Sequence, residues 1–278
     1  MKKIFLLISV IFNFQSVWAN SEFSRLSWKF EDRKMDLFLP RNSLGPIPLV
    51  VYGHGQAMGV EAYDLTFEFL AKQGVAVLHP EYDKNFFDRN WNRMAQDFNR
   101  LTAETLKRYP QLNSEMIIYA GHSKGAYVAL VAAGHRSHFE LLKTPAKALL
   151  LFSPAGYDAE LIKNLDRRLA VSLFYPEEDQ IIKRELQDQI YSGLQTDFKQ
   201  FILVKSYPNR KAEHFFPVNK KYIFGGSDGV SDFHRFGSWK WLKAAATDII
   251  NGNRLIESEL YGDKALDSGN PQVRHKRL

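Results

Sequence analysis

Six short runs in this 278-residue chain are apolar at successive positions instead of alternate ones: PLVVYGHG (Pro48 to Gly55), VAVLHPEY (Val75 to Tyr82), MIIYA (Met116 to Ala120), ALLLFSPAG (Ala148 to Gly156), LAVSLFY (Leu169 to Tyr175) and FILVKS (Phe201 to Ser206). A strand with one wet face alternates apolar with polar residues, whereas a strand apolar throughout is buried on both faces. Between the runs lie helix-type stretches. Tyr63 to Gln73 gathers Phe67, Leu70 and Ala71 on one face and stops at Gly74. Asp97 to Tyr109 and Ser238 to Ile250 read the same way, and LSWKF (Leu26 to Phe30) with MDLFL (Met35 to Leu39) reads as a leading hairpin. This alternation predicts an α/β domain with a mostly parallel central sheet, helices on both faces and an N-terminal hairpin. The piece between ALLLFSPAG and LAVSLFY is too short for a large lid domain, and there is no repeat, low-complexity segment or linker.

The N-terminus has a different character. Lys2 and Lys3 precede an apolar run, Ile4 to Phe14, that is too short to span a bilayer comfortably, and Val17-Trp18-Ala19 follows. That is the layout of a secretory signal peptide. Residues 1–19 are expected to be removed after Ala19, leaving an exported protein, periplasmic or secreted, with no stable membrane insertion.

The formal net charge of +6 includes both leader lysines, and the other basic residues are scattered among acids. Only VRHKRL (Val273 to Leu278) is locally basic, so residues 263–278 read as a flexible basic tail. Nucleic-acid binding would call for a basic stripe on a recognisable module, and neither is present. The absence of cysteine excludes disulfides, thiol nucleophiles and thiolate metal sites. No H-E-x-x-H, Walker or dinucleotide fingerprint occurs, so neither a metal nor a cofactor is expected.

Gly121-His122-Ser123-Lys124-Gly125 follows the MIIYA run and precedes a small-residue, helix-compatible stretch. A G-x-S-x-G match alone is weak, but the strand–turn–helix setting is what a nucleophile elbow requires. With it, the sequence resembles the α/β-hydrolase family across essentially the whole chain after the leader. The resemblance implies a serine esterase or lipase type of enzyme, with residues 20–262 as the catalytic domain. It implies that GHGQAMG (Gly53 to Gly59) supplies one oxyanion N–H, from Gln56 or Ala57, and that Lys124 supplies the other. His54 is then a structural histidine of the binding loop, and His122 packs beside the nucleophile.

The resemblance also assigns an acid after LAVSLFY. In PEEDQII the matching position is Asp179, with Glu178 as its nearest substitute and Asp158 as a weaker one. The order Ser…Asp…His places the base after Asp179. His214, in KAEHFFPVN, and His234, in SDFHRFGSWKWL, both qualify, whereas His275 sits in the tail. The segment from Gly225 to Ala245 resembles one near the end of chlorophyllase-like secreted esterases. That comparison makes His214 the base and His234 a residue that lines the pocket or supports it from behind. Trp91, in NFFDRNWNRMAQDF, is either a pocket wall or part of a helix face packed on the core. The expected reaction is hydrolysis of a small-molecule ester through an acyl-enzyme. A peptidase, an acyltransferase or a non-catalytic binding protein on the same scaffold are the alternatives.

Overall fold

The computed structural model describes residues 22–250, apart from 44, 84, 86, 136–138, 143, 207–209 and 223–224, together with 274 and 275. The proposed signal peptide lies outside the described residues. A single mixed sheet runs through the domain in the order β1-β2-β4-β3-β5-β6-β7-β8-β9. Strands β1 (Phe23–Phe30) and β2 (Arg33–Pro40) form the expected hairpin, and β2 pairs antiparallel with β4 (Ala76–Pro80). From β4 the sheet continues in parallel through β3 (Ile47–Gly53), β5 (Leu112–His122), β6 (Ala148–Phe152), β7 (Ala170–Pro176) and β8 (Phe198–Val204).

The apolar runs have a direct physical explanation. Successive side chains of a strand point to opposite faces, and each face of this sheet has its own core. Leu49, Val51, Ile117 and Tyr119 join the core under helices α2 (Trp91–Arg108) and α3 (Lys124–His135). Their neighbours Val50, Tyr52, Ile118 and Ala120 join the core under α1 (Asp64–Lys72) and α6 (Lys240–Ile250). Burying an aliphatic or aromatic side chain contributes about 1.5–3 kcal/mol, so a polar residue on either face would be costly. Helix α3 is buried at every position from Lys124 to Ala132, which accounts for its run of small residues.

Some boundaries differ from the sequence expectation. Helix α2 begins at Trp91 instead of near Asp97, because the Asn90 side chain accepts from the N–H of Arg93 (3.1 Å) and caps it there. The last helix is preceded by a π-helical turn, Phe233–Trp239. The short helices α4 (Ala159–Lys163) and α5 (Arg184–Gly193) bury too few apolar residues to form a legible stripe. In the segment expected to be a flexible tail, Arg274 and His275 form β9 and pair antiparallel with β8, whose outer edge would otherwise be open. No helix among the described residues is long and apolar enough to cross a membrane.

The parallel strands end in register: Gly53 beside Gly121, His122 beside Phe152, Phe152 beside Phe174 and Pro176 beside Val204. Their carboxyl ends thus meet along one edge. Two glycines let β3 and α3 approach there. A Cβ on Gly125 would lie 2.2 Å from the carbonyl carbon and oxygen of Gly53, and a Cβ on Gly53 would lie 2.5 Å from the Gly125 oxygen. Backbone cannot yield as a side-chain tip can. Gly125→Ala is therefore expected to cost about 3 kcal/mol, at the upper end of overpacking penalties, or to prevent folding. Urea unfolding checks this, and a variant as stable as wild type would contradict the contact.

Candidate active site

Strand β5 runs out at His122, and the chain reverses into α3 through a single residue, Ser123. Ser123 has φ +54°, in the left-handed region that side chains with a Cβ avoid. The turn is held from several directions. The Ser123 N–H donates to the Phe152 carbonyl (2.8 Å), and the Ser123 carbonyl accepts from Ala126 (3.1 Å), Tyr127 (3.2 Å) and Ala155 (3.1 Å). A strained conformation of this kind costs about 1–3 kcal/mol and persists only where its surroundings impose it.

Ser123 opens onto a cavity of about 390 Å³. Its wall includes Gln56 and Ala57 from the loop after β3, His122 beside the serine, and His214 and Phe215 from the loop after β8. Gly55, Met58, Ile181 and Tyr222 complete it. None of these side chains is a carboxylate, lysine or arginine. Ala57 has φ +60°, which turns the loop sharply where it passes the serine. Lys124 is the first residue of α3, and N–H groups in a helix's first turn have no intrahelical carbonyl to bond.

His214 and Asp179 come from separate loops and meet at the cavity wall, where His214 lines the cavity and Asp179 does not. His214 Nδ1 is 2.8 Å from Asp179 Oδ2, with the two side chains 3% and 0% exposed. The other carboxylate oxygen accepts from the N–H groups of Ile181 and Ile182, both at 2.9 Å. Burial raises the proton affinity of Asp179, but the His214 hydrogen bond and charge, with the two N–H groups, outweigh it and hold its pKa below the ordinary carboxylate value. Asp179 therefore stays ionised at neutral pH and fixes the proton of His214 on Nδ1, leaving Nε2 as the basic nitrogen.

The other candidates lie elsewhere. His234 is fully buried, and its Nδ1 accepts from the N–H (3.0 Å) and hydroxyl (2.8 Å) of Ser231. It does not line the cavity of Ser123. Glu178 turns away to the Ser206 hydroxyl (2.7 Å) and Lys211 (2.9 Å), and Asp158 caps α4 by accepting from the Leu161 N–H (3.0 Å). Trp91 packs edge-on against Tyr127 (ring centroids 5.0 Å apart), so it belongs to the helix–core contact and not to the cavity wall. His54 donates from Nδ1 to its neighbour's carbonyl, Gly55 O (2.9 Å), and stacks on Tyr82 at 4.4 Å. It lines a second, more polar pocket that shares Ala57 and Met58 with the first.

Several contributors went unread in the sequence. The Lys124 side chain has a structural part of its own: the buried ammonium is 2.7 Å from Asp83 and ties the loop after β4 to the Ser123 turn. The Asp83 carbonyl accepts from Arg33 (2.5 Å), which also bonds Asp97 (3.0 Å). Met58, Ile181, Phe215 and Tyr222 line the cavity with no signal beyond their positions near motif residues. No protein-family model matches the chain, and no curated protein matches it.

The buried imidazoles lead to a prediction about acid stability. Burial, followed by a neighbouring imidazole, pushes His79 (beside His54) and His122 (beside His214) well below the usual 6.5, and burial brings His234 to about 4. Such rings bind fewer protons folded than unfolded. Their full contribution is present above pH 6.5, and stability falls as the pH drops below that value toward the folded pKa values. Between pH 7.5 and 5 the protein is expected to lose at least about 2 kcal/mol, since 1.4 kcal/mol corresponds to one pKa unit. Urea titrations at the two pH values measure this, and equal stabilities would refute it.

Proposed function

We propose that this protein is an exported serine hydrolase of the α/β-hydrolase fold that cleaves carboxylic esters. The observation that carries the reading is the buried Asp179–His214 pair, 2.8 Å apart, whose imidazole lines the same cavity as the strained Ser123. A sheet with a leading hairpin, a parallel body and the serine on the turn after β5 supports the fold assignment.

In this mechanism the Ser123 hydroxyl oxygen attacks the acyl carbon while His214 Nε2 takes its proton. Asp179 holds the imidazole's tautomer and stabilises the imidazolium without itself accepting the proton. Negative charge grows on the former carbonyl oxygen, and the N–H groups of Gln56 and Lys124 receive it, each of such donors being worth about 3 kcal/mol. The positive end of α3 adds to that field. His214 then protonates the departing alkoxide and leaves an acyl-Ser123. Water, deprotonated by the same imidazole, attacks the acyl carbon, and collapse returns the serine and releases the acid.

The test begins with a fluorophosphonate probe, which is expected to label the wild type and not Ser123→Ala. On a short p-nitrophenyl ester, Ser123→Ala and His214→Ala are expected to lower kcat at least about 10⁴-fold, and Asp179→Asn about 10³- to 10⁴-fold. His234→Gln should stay within tenfold of wild type. An unlabelled wild type would favour a binding protein on this scaffold, and an active His214→Ala would move the base elsewhere.

The wall of the cavity supports an apolar acyl group. With Met58, Ile181, Phe215 and Tyr222 around the serine and no charged side chain among the lining residues, an uncharged apolar acyl group fits, and a carboxylate-bearing one meets no counter-ion. One methylene in such a pocket is worth about 0.8 kcal/mol. Phe215→Ala is expected to lower kcat/KM for a hexanoate ester about tenfold more than for an acetate ester. A hemisuccinate ester should be a poor substrate for both proteins. Equal losses on the two alkyl esters would remove Phe215 from the acyl wall.

A further inference from the structure

Tyr63 and His122 do not act on a substrate in this scheme, yet both are buried at the centre of the site. Tyr63 stands just before α1, at the far end of the loop that follows β3. Its hydroxyl oxygen is 3.0 Å from the Gly55 nitrogen and 2.9 Å from His122 Nδ1. His122 Nε2 is 3.0 Å from the backbone carbonyl oxygen of His214.

The direction of each hydrogen bond follows from the chemistry of its partners. A carbonyl can only accept, so His122 Nε2 carries a proton and donates to His214. Burial, then the adjacent His214, keep the His122 ring neutral, so its Nδ1 is bare and can only accept. The single hydroxyl proton of Tyr63 therefore goes to His122 Nδ1, and its oxygen accepts from the Gly55 N–H. The Met58 sulfur, 3.0 Å from the same oxygen, is the weaker acceptor and takes no proton from it. The chain Gly55 N–H to Tyr63 to His122 to the His214 carbonyl thus has one consistent polarity.

It joins the three loops that must be in register for catalysis. Gly55 precedes Gln56, the proposed oxyanion donor. His122 precedes the nucleophile, and the third contact is on the backbone of the base. The junction has no spare room: a Cβ on Gly55 would lie 2.9 Å from His122 Nδ1 and 3.2 Å from the Tyr63 oxygen. The rings of His122 and His214 are 4.8 Å apart and tilted by 45°.

We infer that Tyr63 and His122 are positioning residues, a polarised buried relay that sets the oxyanion loop and the His214 backbone relative to Ser123. The inference rests on the serine-hydrolase reading above. It assigns no proton transfer to either side chain during turnover. Their effect is geometric, and displacements near 1 Å in such sites can cost about a hundredfold in rate.

Full-length protein carrying Tyr63→Phe, His122→Leu, His122→Gln or the double change Tyr63→Phe/His122→Leu tests this with p-nitrophenyl butyrate and the fluorophosphonate probe. Tyr63→Phe keeps the ring and its packing, so it folds even where a His122 variant does not. It is expected to lower kcat between about tenfold and a hundredfold, with KM changed less than twofold, and to slow probe labelling in the same proportion. His122→Gln should retain more activity than His122→Leu, because its amide can still donate to the His214 carbonyl. The double variant should be no slower than His122→Leu alone, since the relay is already broken. A Tyr63→Phe enzyme with wild-type kcat, a loss confined to KM, or losses that multiply in the double variant would overturn the relay. A wild type that neither reacts with the probe nor turns over the ester would overturn the hydrolase reading, and the relay with it. Labelled wild type with unaffected variants would overturn the relay alone.

Discussion

The site depends on a contact between two backbones. Where α3 begins, the main chain of Gly125 lies against Gly53 so closely that no side chain fits between them. That approach brings the end of β3 beside the first turn of α3. It thereby sets Gln56 and Ala57, which follow β3, next to Ser123 and Lys124, which open the helix. A side chain at either glycine would force the loop and the turn apart, since its Cβ would lie 2.5 Å or less from the facing backbone. The glycines in GHG and GHSKG thus serve proximity at this point and not flexibility.

Polar contacts then hold the loops that this approach brings together. Ser123 keeps its left-handed backbone because four hydrogen bonds from three segments leave it no alternative. On one side, Lys124 reaches Asp83, whose carbonyl is held by Arg33. On the other, Tyr63 and His122 connect the loop after β3 to the loop after β8. Buried polar groups of this kind add little net stability when paired and cost about 1–3 kcal/mol when orphaned. They restrict the loops to one arrangement more than they strengthen the fold.

The parallel strands were legible because burial on both faces leaves a run with no polar position, and Phe67, Leu70 and Ala71 marked α1 for a related reason. The two short helices after β6 and β7 left no comparable trace, since a helix covering so little of the core has no apolar stripe to read. Ser123 was visible because its turn needs glycine at fixed spacing. Asp179 was visible through its place in the turn after a buried strand, whereas chain order alone could not separate His214 from His234, both of which follow the acid and precede the last helix, and only the resemblance favoured His214. Tyr63 could be read as the start of a helix and nothing more, because its partners are far away in sequence. Lys124 was read for an N–H that any residue would supply, while its side chain makes a buried ion pair that depends on tertiary structure.

The histidines differ in the partner each ring meets. His54, His79, His122 and His234 are buried, and burial depresses all four. An imidazole in that condition accepts a proton poorly and serves as a neutral hydrogen-bonding plate. His214 differs in its partner, the buried carboxylate of Asp179 at 2.8 Å from its Nδ1. His54 has a candidate in Asp83, 3.8 Å from its Nε2, but the Asp83 charge is already matched by Lys124 at 2.7 Å. Asp179 has no such competitor, for its second oxygen bonds only neutral N–H groups. Its negative charge is therefore directed at His214, the ring that also lines the cavity of Ser123, and this is why the proposed mechanism gives the base role to His214.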